Sequence, residues 1–152
     1  MSGLSRFVED ALLDWYGGTP MPDPPAALYV TTYLVMPADD GTGGTEQTAA
    51  GFSRQPFTLG PKFTDADGAR TRAASATATL GPNASGAPVG PLVGFGVWSV
   101  PSGGTSAQFL GSDLFRDGSG NPVTKTVQPG DRLDIPADAI DQTLSKLKIK
   151  IS

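Results

Sequence analysis

Glycine and proline punctuate this chain so closely that no long helix or long unbroken strand fits between them. The 20 glycines and 14 prolines make up more than a fifth of the 152 residues. Such a frequency implies many turns and little helix. "TPMPDPPAA", residues 19 to 27, holds four prolines. Proline fixes φ and has no amide donor, so this stretch reads as an extended connector. Further on, turn signals recur every ~8–12 residues between short apolar segments, the spacing of a sandwich or barrel. No long helix alternates with strands, which argues against a parallel doubly wound sheet.

"LYVTTYLV" (28 to 35) is the strongest strand, rich in β-branched and aromatic residues. Leu28, Val30, Thr32 and Leu34 face one way, Tyr29, Thr31, Tyr33 and Val35 the other, with both faces largely covered. "GFSRQPFTLG" (51 to 60) is a second strand, and Pro56 makes it an edge or a bulge. A turn is expected at Asp67-Gly68 and a weak strand from Ala74 to Leu80. Further strand segments are expected at 89 to 100, 106 to 115, 123 to 135 and 144 to 152. In the last, Leu147, Ile149 and Ile151 alternate with Lys146, Lys148 and Lys150. That pattern implies one buried face and a lysine row guarding an edge against stray pairing.

The N-terminal 18 residues differ. Leu4, Phe7, Val8, Ala11, Leu12 and Trp15 follow helical spacing, while Arg6, Glu9, Asp10 and Asp14 fall mostly on the other side. Ser2 or Ser5 can cap the start, and Gly17-Gly18 stops the helix. The apolar stripe either packs on its own domain or docks on a neighbouring subunit. Three regions follow: a helix at 1–18, a Pro-rich connector at 19–27 and a β domain at 28–152. Glu9 and Asp10 stand where a signal peptide needs an apolar core, and no apolar run approaches the ~20 residues of a membrane span. The expectation is a soluble protein made in a cytoplasm, with no membrane partner.

Composition narrows the chemistry. The chain has neither cysteine nor histidine, which removes disulfides, thiolate zinc sites and histidine-based catalysis. Its net charge is -4, with no basic face for direct nucleic-acid binding. "GTGGTE", residues 41 to 46, is glycine-rich but lacks the P-loop lysine. It carries Glu46 and follows Asp39 and Asp40, which would repel a phosphate. The glycines read as positive-φ residues in a strand connection. The sequences around Asp65/Asp67 and Asp117/Asn121 resemble fragments of calcium loops, yet neither reaches a closing glutamate and both suit hairpin turns. No catalytic, cofactor or metal residue is assigned, and Trp98 reads as core from its apolar flanks.

The order of features carries more than any one motif. "ALLDWYGGTP" is followed by "PAALYVTTYLVMPADDGTGGTE", "GFSRQPFTLG", "VGFGVW", a Gly-Gly loop with "FLG", and "TVQPGDRLDIP" before the terminal strand. This order resembles a family of small virion proteins of tailed bacteriophages, labelled tail fibre, minor tail or minor head proteins. Gly51, Phe52 and Arg54 match the glycine–aromatic–arginine opening of its second strand, and Val127, Gly130 and Asp131 its late V-x-x-G-D turn. Residues 61 to 91 are longer and richer in alanine and proline than the family pattern.

The resemblance implies a non-enzymatic, antiparallel, jelly-roll-like β-sandwich on the particle surface, a tail-fibre or head-surface component. The expected partners are other virion proteins and itself, as a closed homo-oligomer, a trimer in the first instance. The expected interface residues are Leu4, Phe7, Leu12, Trp15 and Tyr16 on the helix, with Phe52 and Arg54 beside the glycine loop. Arg54 should pair with Glu46, Asp39 or Asp40, or with an acidic group across an interface. The alternative is a carbohydrate-binding module contacting host glycans, which needs a row of exposed aromatics. A hydrolase for surface polysaccharide is a third reading.

Overall fold

In the computed structural model, which describes residues 3–136 and 140–144, strands pair antiparallel throughout. They run β1 (Gly3–Leu4), β2 (Leu28–Val35), β3 (Thr45–Glu46), β4 (Gln55–Phe57), β5 (Phe63–Thr64), β6 (Arg70–Ala73) and β7 (Ala78–Leu80). After these come β8 (Val89–Leu92), β9 (Gly94–Trp98), β10 (Phe109–Leu114), β11 (Lys125–Val127), β12 (Leu133–Ile135) and β13 (Asp141–Leu144). The helix α1 (Arg6–Tyr16) lies between β1 and β2.

β1, β10, β9 and β2 form the main sheet in that order, with β3 and β4 sharing the other edge of β2. A second layer consists of three small sheets: β8 with β11, β7 with β12, and β6 between β5 and β13. The core lies between the layers. Val30, Val97 and Phe57 from the main sheet meet Ala78, Leu80, Val89, Leu92, Val127 and Ile135 from the small sheets. The fold is thus mainly β and antiparallel, with a sandwich-like arrangement of unequal layers.

β2 sits at the centre of the main sheet with Val30, Thr31, Thr32 and Tyr33 all buried, so both its faces are covered as its sequence predicts. Pro56 occupies β4, an edge strand opposite Tyr29, where its missing amide donor is tolerated. Asp67-Gly68 turns the β5–β6 hairpin, with Gly68 at φ +81°.

Several expected strands are shorter or divided. The segment 51 to 60 contributes only β4, because residues 51–54 form turns and bends. The segment 74 to 80 contributes only β7, and β6 precedes it. Residues 89 to 100 split at Val93, where the chain passes from a small sheet to the main one. There the Val93 amide donates to the Tyr33 carbonyl at 2.8 Å. Residues 123 to 135 split at the turn closed by the Asp131 amide on the Gln128 carbonyl, 3.0 Å. Continuous apolar runs do not reveal such corners, because strands that switch sheets stay apolar through the bend. The alternating row Leu147, Ile149, Ile151 with its lysines lies outside the described residues.

Candidate interaction site

The face of the main sheet turned away from the core carries a second cluster. Tyr33, Gly96, Trp98 and Phe109 share that face, because cross-strand pairs keep side chains together. Trp98 Nε1 donates to the Tyr33 hydroxyl oxygen at 2.9 Å, and the Trp98 and Phe109 rings lie 5.0 Å apart. Trp98 is buried, as its flanks suggest. A Cβ on Gly96 would stand 2.6 Å from Tyr33 Cε2, so glycine here lets the tyrosine lie flat on the sheet.

The glycine-rich connection between β2 and β3 covers this cluster. Gly41 has φ +82°, and a Cβ there would lie 2.8 Å from Phe109 Cγ. Both facts require glycine. Asp40 Oδ1 accepts from the Thr42 hydroxyl at 2.6 Å and from its amide at 3.0 Å. Those bonds, the hydroxyl's first, hold the Asp40 carboxyl below its ordinary range. β3 then returns along β2, placing Glu46 opposite Tyr33. The loop is a structural cover.

Arg54 anchors the arrangement. Its Nε and Nη2 donate to Glu46 Oε1 and Oε2 at 2.8 and 2.9 Å, and its Nη1 donates to the Val100 carbonyl at 3.0 Å. Its guanidinium carbon lies 4.2 Å from the Trp98 ring centroid. Burial raises the Glu46 pKa, but the hydrogen bonds from Arg54, together with its charge, outweigh it and leave the carboxyl below its usual range. The expected partner Glu46 is therefore found.

Period-two alternation along the expected strand at 51 to 60 would put Phe52 and Arg54 on one face; the structure separates them. Phe52 instead lies in the core between the layers, fully buried, while Arg54 lies on the opposite face of the sheet. Residues 51–54 are not strand, so period-two spacing does not apply to them. Phe52 has no surface left for a neighbour, and the Arg54 side chain is 3% exposed.

Asn83 has a comparable anchoring role that sequence reasoning missed. Buried, it donates from Nδ2 to the Ala87 and Val127 carbonyls, both at 2.8 Å. Its carbonyl accepts from Gly130 and its amide donates to the Asp131 carbonyl. This fastens the V-x-x-G-D turn to the chain after Gly81-Pro82; the Gly-Pro-Asn order was the available signal. The two acidic motifs are turns. Asp65 Oδ1 accepts from the Asp67 and Ala69 amides, and Asp117 Oδ1 from the Ser119 and Asn121 amides. Among the described residues, no cluster of three or more His, Cys, Asp or Glu side chains could hold a metal ion.

Of the remaining interface candidates, Phe7, Leu12, Trp15 and Tyr16 lie on α1, which with its connector forms an arm; Leu4, expected on the helix, instead lies in β1, paired with Gly111. Ser5 caps the helix, its hydroxyl accepting from the Val8 amide at 3.3 Å, and Gly17 ends it. The arm base is fixed: the Ser5 amide donates to the Leu110 carbonyl, and the Arg6 amide to the Asp39 carbonyl in the glycine loop. The strand order makes β1 and β2 antiparallel, so the arm leaves and returns at one end of the sheet. Over 11 residues the helix rises about 16 Å, and residues 13–26 are all exposed.

No residue of α1 is fully buried. Leu4, Phe7, Val8 and Leu12 are half-buried, and the stripe continues past them into solvent at Trp15 and Tyr16, 54% and 74% exposed. Between arm and body runs an open groove of about 260 Å³. Leu4, Val8, Leu12 and Met21 line the arm side, Lys62, Arg70, Thr71 and Arg72 the other.

A family model described as podophage GP4 fiber I protein gp80 matches residues 3–143, covering the arm together with both layers of the sandwich. No curated protein matches the chain.

Proposed function

Because the chain belongs to the podophage GP4 fiber I protein gp80 family, we propose that it is a non-enzymatic structural component of a bacteriophage particle, carried in a fibre. The observation that carries this reading is the match over residues 3–143. The site geometry supports it. The strongest polar constellation, Arg54 with Glu46, Val100 and Trp98, has each nitrogen of the guanidinium donating one hydrogen bond inside the chain. Such a network rigidifies a surface and offers no free base or nucleophile. The exposed arm supplies an apolar surface of the kind that joins subunits, so the partners in this reading are other virion proteins and further copies of the chain, in a closed oligomer such as a trimer.

The test is presence in the particle. Purified particles should contain the chain by mass spectrometry, and antibody raised against it should label their fibres. Particles free of it, from a lysate that contains it, would end the reading.

A further inference from the structure

We propose that the groove between α1 and the β5–β6 hairpin receives the arm tip of a second copy of this chain, with Trp15 as the inserted side chain. This deepens the structural reading above and rests on it for the expectation that copies meet.

Three observations point to this occupant. The first is shape and chemistry. The groove holds about 260 Å³, room for one large aromatic side chain, and its arm-side wall is apolar. The second is the uncovered apolar surface at the other end of the same arm. Leu13, Trp15 and Tyr16 are 68%, 54% and 74% exposed, and Trp15 and Tyr16 meet edge-on with ring centroids 5.3 Å apart. Tryptophan and tyrosine dominate the energetic centres of protein interfaces.

The third is charge. The arm carries Glu9, Asp10, Asp14 and Asp23 against a single Arg6. The far rim of the groove carries Lys62, Arg70 and Arg72, all exposed. Among the described residues, none of these charges makes an ion pair. An acidic tip with aromatic residues thus complements a basic rim over an apolar floor, and opposite potentials of this kind set register between partners. In a chain of copies, each tip would fill the next groove; whether that closes depends on the rotation between neighbours.

The experiment uses the full chain and two variants, Trp15→Ala, which blunts the tip, and Lys62→Glu/Arg72→Glu, which reverses the rim. All three altered side chains are exposed, so parent-like melting will show that the variants fold. Sedimentation over a concentration series should show the parent self-associating, more weakly in high salt. Each variant should weaken association by about tenfold or more. Mixing the two variants should restore pairing between them, since the intact tip of the reversed-rim chain can enter the intact groove of the Trp15→Ala chain; adding Asp14→Lys to the reversed-rim chain should let it associate with itself again. A parent that stays monomeric, a Trp15→Ala chain that associates like the parent, or a mixture that stays apart would each overturn the proposal. So would a blue-shifted Trp15 contribution, read as the parent spectrum minus that of Trp15→Ala because buried Trp98 also emits, in a monomer at every concentration, which would mean that the tip folds into its own groove. None of these results would touch the structural reading if the chain is present in purified particles.

Discussion

At the residue scale the arrangement depends on side chains with no alternative partner. Arg54 and Glu46 are unequal in this respect. The Arg54 side chain is 3% exposed and that of Glu46 24%. Glu46→Ala strands a guanidinium in the interior, and breaking a buried pair from that side costs about 3–5 kcal/mol. Arg54→Met keeps the stem on Trp98 and leaves a carboxylate that water can reach, so its expected loss is smaller, about 1–3 kcal/mol. Chemical denaturation of both variants checks the order; equal losses near zero would make the pair incidental. The Glu46 carboxyl titrates below its ordinary range in the folded chain. Its contribution is therefore complete above the unfolded glutamate pKa and lost as pH falls through the lower folded value. Glu46→Gln should flatten that part of the acid-stability curve. Gly96 offers a steric counterpart. Its Cβ would press on the buried Tyr33 ring, so Gly96→Ala should destabilise by about 1–3 kcal/mol, the range for overpacking. The partner of Arg54 was legible in the sequence because acidic candidates within reach were few. Its face was not, because residues 51–54 leave the extended conformation on which alternation depends.

Among the elements, the arm and β1 share a strand of argument. A two-residue strand ahead of a helix has no period to read, so β1 escaped the sequence, whereas the caps at Ser5 and Gly17 were visible as residue types. Yet β1 decides what truncation does. It covers the edge of β10, pairing Gly3 with Ser112 and Leu4 with Gly111, and a bare edge invites stray pairing. Since α1 buries none of its residues fully, deletion of residues 1–18 should leave a cooperatively melting sandwich. Hydrogen exchange should then quicken at the β10 amides while β2 and β9 stay protected. A truncated chain that does not fold would make the arm part of the folding unit. The divided segments 89 to 100 and 123 to 135 show the opposite limit: hydrophobic runs predicted strand but could not mark the corners where the chain changes sheet.

The whole molecule is an antiparallel, sandwich-like fold with an arm whose outer part is exposed. Its class was legible from glycine and proline spacing alone, since short strands with frequent turns have few ways to bury apolar surface other than stacked antiparallel sheets. The unequal layers were not, because they depend on which short strands pair, and pairing between distant segments leaves little trace in either segment. The acidic turns add a further expectation at this scale. Their aspartate oxygens already accept backbone amides, so a chelator should leave the melting temperature unchanged; a bound calcium at a hundredfold excess over Kd would add about 2.7 kcal/mol and shift it by several degrees. Immunogold labelling of purified particles tests most directly whether this chain is a fibre component of a phage particle. Gold on the fibres of intact particles is expected; unlabelled particles beside abundant free protein in the same lysate would contradict a place in the fibre.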